Sequence, residues 1–362
     1  GAGTFGLPYV SVQSGFWLSF FYLFILGAAV WLVHLIYGEI ILRTQSSFRL
    51  VGYTAYYLGN KAKILATFVL FFEYYGALLA YLILGGNFLR ILFSFIWQGP
   101  EWFWSLIFYF LGILAVIKGL KTVERSELFM AGFLLLMVGV LLIKGWNWIS
   151  LNNFSATNWS KFFLPYGVFL FALAGSAAVP EMRQIMRGEE KRIGQAIFWG
   201  TFIPVILYFL IIFAVVGISG PATTENALEG LMPYLGKGVL FFGSIFGVLA
   251  VFTSFLVLSL SLKNIFHQDY KIKPIFSYFL TFSLPLLAYF AGLKDFILVI
   301  GLVGAIASSL DGLLMVLIFL KARKKGDRQP EFSLSYPRLA AGFLMMIFFL
   351  GLIYQFVYFS TK

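Results

Sequence analysis

The sequence predicts an all-α, polytopic membrane protein made of two inverted halves of five helices plus one further C-terminal helix. Three observations predict it. Of the 362 residues, 61% are hydrophobic and only 11% charged, whereas a soluble domain carries roughly 25% charged residues. Apolar runs long enough to cross a bilayer recur along the whole chain, whose mean hydropathy is +0.92. Two helix-breaking clusters of the same form lie five spans apart. At roughly 30 residues per span and connection, the length holds about ten to twelve helices and leaves no room for a separate soluble domain. Residues 1–362 therefore read as one transmembrane domain.

The first element, about residues 4 to 14, is too short to cross alone and reads as the outer half of a helix. The sequence opens at Gly1 without an initiator methionine or a signal segment, so the inner half of that helix is expected to be lost from the record and the first helix truncated. Full spans are predicted at about 16–41, 64–96, 102–119, 127–145, 163–183, 194–218, 236–262, 275–292, 296–320 and 339–359. Residues 1–145 form the first repeat, 162–320 the second, and 339–359 the additional helix.

Charge sets the orientation. Arg43, Arg49, Lys61 and Lys63, the stretches Lys118–Arg125, Arg183–Arg192 and Lys263–Lys273, and the loop Lys321–Arg338 fall on one side. Arg90, Lys144, Lys161, Lys237, Lys294 and Lys362 fall on the other, which makes the first side cytoplasmic and puts the C-terminus outside. Trp17, Trp97, Trp102, Trp104, Trp146, Trp148 and Trp159 gather at the outer ends, as an interfacial belt would. The net charge of +11 is then a topology label and implies no nucleic-acid partner. The partners expected are the lipid bilayer, of a plasma or inner membrane, and a small solute; no obligate protein partner is evident.

With no cysteine and two histidines, thiolate, iron–sulfur and most zinc chemistries drop out, and no cofactor is implied. No carboxylate pair, metal cluster or nucleophile–base set lies near one surface, which disfavours an enzyme. No repeated filter or pore-lining polar stripe favours a channel.

The strongest signals are Gly3-Thr4-Phe5-Gly6-Leu7-Pro8 and Gly175-Ser176-Ala177-Ala178-Val179-Pro180. Glycine tolerates unwound backbone and proline removes a helical donor. Backbone freed in this way survives at membrane depth only where it lines a cavity or is buried in protein. One such cluster alone is ordinary helix packing; the matched pair is what an inverted repeat with a midplane site would carry.

These motifs also carry a resemblance. Gly1-Ala2-Gly3-Thr4-Phe5-Gly6-Leu7-Pro8-Tyr9 resembles the first-helix motif of the amino acid/auxin permease family, and is close also to bacterial aromatic amino acid permeases. Tyr75-Gly76-Ala77-Leu78-Leu79-Ala80-Tyr81 resembles that family's third helix, and Phe169–Gly175 with Pro180-Glu181-Met182 its sixth. The resemblance runs nearly end to end and implies a leucine-transporter-like fold. It implies secondary transport of amino acids, neutral with aromatic or branched side chains among the candidates, by cation symport and alternating access; exchange or uniport without an ion is the alternative.

In that fold the substrate carboxylate meets amides at the first break, which assigns Gly1, Ala2, Gly3, Thr4 and Phe5. The ammonium meets carbonyls at the other break, which assigns Phe171, Ala172 and Gly175 with Ser176 nearby. Phe5, Tyr74, Tyr75 and Phe171 either shape a side-chain pocket or pack helices. For the coupling ion two readings stand. Thr253-Ser254 resembles the hydroxyl pair that holds sodium in sodium-coupled relatives. Glu73 and Asp311, about nine residues from their cytoplasmic ends, are the carboxylates able to carry a proton, or else polar glue between helices. Glu39 and Arg43 read as an i,i+4 pair near a cytoplasmic end, a snorkelling salt bridge, His34 as a polar packing residue, Glu181 as a partner of Arg183 or Arg187 at the inner gate, and the 321–338 loop as a basic tether to anionic lipid.

Overall fold

The computed structural model describes residues 2–118 and 123–360. They form fourteen α-helices: α1 Gly3–Ser14, α2 Phe16–Leu42, α3 Leu50–Leu58, α4 Asn60–Phe93, α5 Glu101–Ile117, α6 Val123–Gly145, α7 Leu164–Leu173, α8 Val179–Ile185, α9 Ile193–Ser219, α10 Met232–Asn264, α11 Pro274–Phe290, α12 Phe296–Val303, α13 Ser309–Lys325 and α14 Pro337–Ser360. Among the described residues eight helical runs are long and apolar enough to cross a membrane, and two 17-residue apolar helices, α5 and α11, sit at the short end of the spanning range. The protein is an integral, multi-pass membrane protein.

Several boundaries differ from the sequence expectation. α4 starts at Asn60 rather than near 64, and α13 runs on to Lys325 instead of stopping near 320. Lysines at both ends disguise these turns as loop, although their long stems let charged heads leave the apolar layer. The short α3 was not expected. Its buried Tyr53, Thr54 and Tyr57 make it a helix supported by packing against α13, a contact that local sequence does not announce.

The chain divides into two compact units. The first comprises Gly1–Ser19, Tyr74–Val168 and Leu207–Gly301. Here α10 packs against α5, α6 and α11, and small residues allow close approach, as expected where lipid offers no hydrophobic drive for association. A β-carbon at Gly112 would lie 2.4 Å from the Phe255 ring, and one at Gly167 would lie 1.9 Å from the Gly301 carbonyl oxygen. Tyrosine hydroxyls add directed bonds: Tyr109 donates to the Phe282 carbonyl at 2.7 Å, Tyr75 to the Leu280 carbonyl at 2.9 Å. Of the seven tryptophans assigned to the belt, Trp104 is instead buried, stacked on Phe93 at 5.3 Å, while the other six are exposed.

The second unit comprises Phe20–Glu73, Phe169–Ile206 and Leu302–Lys362, with α13 packed on both α14 and α3. Its organising feature is the end of α2. Glu39 is fully buried and accepts from Arg43 Nε at 2.7 Å, Arg323 Nε at 2.7 Å, the Leu334 amide at 2.7 Å and Ser333 Oγ at 3.4 Å. The i,i+4 pair expected from sequence is present, but Glu39 does not reach outward: it is the centre of a buried hub. Arg328 donates to the Leu42 carbonyl at 2.8 Å and pairs with Glu331, so Arg323 and Arg328 are engaged in contacts within the unit, while Lys321, Lys324, Lys325 and Arg338 are exposed. Arg183 of α8 donates to the Ile41 and Thr44 carbonyls at 2.7 and 2.9 Å, satisfying acceptors that a helix end leaves open. Glu181 approaches Arg49, at 4.0 Å, rather than Arg183 or Arg187.

Candidate functional site

The long helix expected over 163–183 is broken. α7 ends at Leu173, Gly175 adopts φ −157° and ψ 7°, a 3-10 turn covers Ser176–Ala178, and α8 resumes at Val179 with Pro180 in its first turn. The Ala174 amide bonds the Phe171 carbonyl at 3.4 Å and the Ala178 amide bonds the Gly175 carbonyl at 3.1 Å. The two helical halves thus terminate on either side of Gly175. Proline at the start of α8 costs nothing there, because first-turn amides have no helical acceptor. Gly175 itself is exposed, whereas Leu173 and Val179 flanking the break are buried.

Within the second unit a cavity of about 40 Å³ opens at this break, room for roughly one water molecule. It is lined by Gly175 and Ser176 from the break, His34 of α2, Glu73 of α4, Ser308, and Asp311 of α13. Ser308 closes a π turn over Gly304–Ser308 that separates α12 from α13. Such wide turns recur at functional positions. Glu73 and Asp311 both line this cavity. The Asp311 oxygen Oδ1 is buried without a hydrogen-bond partner. His34 Nδ1 lies 3.3 Å from Thr201 Oγ1 of α9, and a β-carbon on Gly175 would lie 3.5 Å from His34 Cε1.

The second unit therefore brings together four of the residues singled out from sequence: Glu73, Asp311, Gly175 and Ser176. Phe171 and Ala172 sit in the last turn of α7, partly buried. With the longer helices, Glu73 and Asp311 lie about 20 Å along the axis from Asn60 of α4 and Lys325 of α13 at 1.5 Å per residue. His34 was missed as a site residue. Its one sequence signal is an imidazole in an otherwise apolar span, and its partner Thr201 is 167 positions away.

In the first unit, Ala2, Gly3, Thr4 and Phe5 are buried at the start of α1; Gly1 lies outside the described residues. Thr4 and Phe5 line an apolar cavity with Met137, Ile211 and Phe246. Phe5 packs edge-on against Phe88 at 4.7 Å. Thr253 and Ser254 both donate to the Ala250 carbonyl of their own helix, at 3.1 and 3.0 Å. A larger cavity of about 640 Å³ is lined by Asn87, Glu101, Glu225, Glu229, Lys294 and Asp295 among others. Burial, followed by the Asp295 and Glu101 charges, pushes the Glu225 carboxyl above its ordinary range. Arg90 pairs with Glu229 at 3.5 Å.

Residues 1–356 match the tryptophan/tyrosine permease family. The chain belongs to that family. Of the two resemblances carried by the motifs, the one to aromatic amino acid permeases is thus the one supported, and the amino acid/auxin permease name is not. The permease is 23% identical over 371 residues to Glutamine transporter 2 of Aliivibrio fischeri, covering 98% of this chain and 95% of that protein. It is 24% identical over 353 residues to Tyrosine-specific transport system 1 of Haemophilus influenzae, covering 91% and 87%. Among solved structures it is similar to MhsT in complex with L-phenylalanine, with TM-score 0.66 and 17% identity over 99% of this chain and 95% of that one. It is likewise similar to the inward facing conformation of Mhp1, with TM-score 0.67 and 15% identity over 98% and 85%. Both neighbours have the leucine-transporter fold, which is the fold of this permease. It is a membrane transporter of amino acids.

Proposed function

We propose that the permease is a proton-coupled symporter of neutral amino acids, aromatic ones first, working by alternating access in a plasma or inner membrane with its C-terminus outside. The observation that carries the coupling is the cavity at the broken helix, which Glu73 and Asp311 line together with Gly175 and Ser176. A protonatable pair adjoining unwound backbone can link a proton to occupancy of the break. Named substrates of the relatives, tyrosine and glutamine, and the phenylalanine bound to MhsT support the neutral class.

Within the second unit the ammonium of the substrate is assigned to the carbonyls that close α7, at Phe171 and Ala172, with Gly175 keeping the break open. Sodium at Thr253 and Ser254 is the second reading. It is favoured by two adjacent hydroxyls sharing one carbonyl on α10, and disfavoured by the lack of any carboxylate from α10 to balance the ion.

The test is uptake of labelled tyrosine, tryptophan, phenylalanine and glutamine into proteoliposomes, with proton and sodium gradients imposed separately. An inward proton gradient should drive accumulation, and Glu73→Gln and Asp311→Asn should each abolish it. Accumulation driven by sodium alone, with no response to a pH gradient, would sink the proton reading.

A further inference from the structure

His34 is the one titratable side chain at the break to which the carboxyl pair leaves no task. It comes from an apolar helix, is 8% exposed, and its ring edge faces Gly175. Its Nδ1 is held by the Thr201 hydroxyl. Because a hydroxyl donates or accepts with equal ease, that bond persists whether the imidazole is neutral or charged. A change of protonation is therefore expressed at the other nitrogen, Nε2, which a β-carbon on Gly175 would approach to 3.8 Å.

The groups that bond His34 or share its cavity are few. α9 contributes Thr201, the turn after the break Ser176, the π turn Ser308, α4 Glu73 and α13 Asp311, while α7 and α14 supply only apolar Leu170 and Phe348. Every ionisable neighbour lining the cavity is thus a carboxyl group, and one carboxyl oxygen, Asp311 Oδ1, is buried without a partner. That is an unsatisfied acceptor in a cavity whose only nitrogen base is His34, and a buried polar atom in that condition calls for an explanation.

We propose that His34 is a protonatable member of the coupling site and exchanges one proton with the Glu73–Asp311 pair through Nε2. This rests on the proton-coupled reading. The step balances: the carboxyl O–H bond breaks, an Nε2–H bond forms, and a pair holding one proton beside a neutral imidazole becomes two carboxylates beside an imidazolium. The net charge of the three groups stays the same, so the move adds no net charge to the bilayer interior, where one would be costly. The proton then sits on the ring that abuts Gly175, which places it at the backbone break. Thr201 acts as a positioning residue by fixing the ring so that Nε2 faces the cavity.

The test separates accumulation from exchange. Proteoliposomes carrying wild type, His34→Gln, Thr201→Val, Glu73→Gln or Asp311→Asn are assayed for tyrosine accumulation under an imposed pH gradient and for tyrosine counterflow at symmetric pH from about 5.5 to 8.5. His34→Gln keeps a side chain able to bond Thr201 but cannot titrate. It should lower accumulation by about tenfold or more, reduce counterflow by no more than about threefold, and flatten the pH profile of counterflow. Thr201→Val keeps the imidazole and should shift that profile rather than flatten it, so it serves as the test should His34→Gln fail to insert.

Wild-type accumulation and pH profile in His34→Gln would overturn the proposal, as would parallel loss of both activities, which marks a packing role. An unshifted profile in Thr201→Val would also count against it. If Glu73→Gln and Asp311→Asn keep accumulating under a pH gradient, the proton-coupled reading falls first and takes this one with it; if only they lose it, His34 alone is excluded.

Discussion

Two sets of carboxyl groups lie in the second unit, and their surroundings are opposite. Glu39 is fully buried and met by two guanidinium groups, a backbone amide and a hydroxyl. Glu73 and Asp311 are half-buried at the cavity they line together, and the buried Asp311 Oδ1 has no hydrogen-bond partner. A buried charge that is fully paired holds a structure in one arrangement, and losing one partner leaves the rest uncompensated. An acid with an unsatisfied buried oxygen contributes little to holding the fold and remains free to change its proton or its ligand. The hub therefore reads as a fastening for the end of α2, and the pair as working machinery.

The sharpest way to break this comparison is to remove each acid and ask what is lost. Glu39→Ala strands Arg43 and Arg323 and should cost on the order of 3–5 kcal/mol. The measurement is thermal unfolding in detergent with expression level alongside, and a variant that melts with wild type would show the hub to be ornamental. Asp311→Asn should behave in the reverse way. It removes a poorly satisfied acid, so stability should change by less than about 1 kcal/mol, while pH-driven accumulation falls at least tenfold. Loss of folding in Asp311→Asn with transport intact in Glu39→Ala would invert the assignment altogether.

The break itself offers an intermediate effect. A methyl at Gly175 meets His34 at 3.5 Å, ordinary contact distance, so Gly175→Ala should retain at least about a third of wild-type uptake. Gly175→Val must push the imidazole aside and should lose uptake while remaining inserted. Equal activity of the two variants, measured by initial uptake rate, would detach His34 and Gly175 from transport.

How far all this could be read in advance depends on the kind of signal. The break was legible because Gly175 and Pro180 act locally, through backbone freedom and a missing donor. Glu73 and Asp311 were legible because a charge in an apolar run stands out. Their place in one cavity was not, since the stretch of α4 around Glu73 has no polar face to say which way it points. Glu39 was legible only as a partner of Arg43 four residues on; Arg323, Ser333 and Leu334 reach it from nearly 300 positions away. A separation of 167 positions likewise hid the pairing of His34 with Thr201.

The smallest effect tests the periphery of the hub. Asp327 lies in the loop that the hub fastens, where its carboxylate accepts from the Gln45 amide at 2.8 Å and the Tyr56 hydroxyl at 3.1 Å. The Gln45 amide first, and then the Tyr56 hydroxyl against a small opposing effect of burial, hold the Asp327 carboxyl below its usual range. Its pKa is thus lower folded than unfolded, so its contribution is present above the ordinary value of about 3.9 and is lost as pH falls through the lowered folded value. At neutral pH the latch is closed, and acid below about pH 4 should loosen it. Asp327→Asn should loosen it at every pH, because the amide accepts more weakly than the charged carboxylate. Hydrogen exchange at the Gln45 amide reads this directly: it should quicken in Asp327→Asn at neutral pH, while amides around Glu39 keep wild-type protection. Quickening that spreads to Glu39 would mean that the loop and the hub open as one unit, and that the fastening begins at Asp327 rather than at the buried acid.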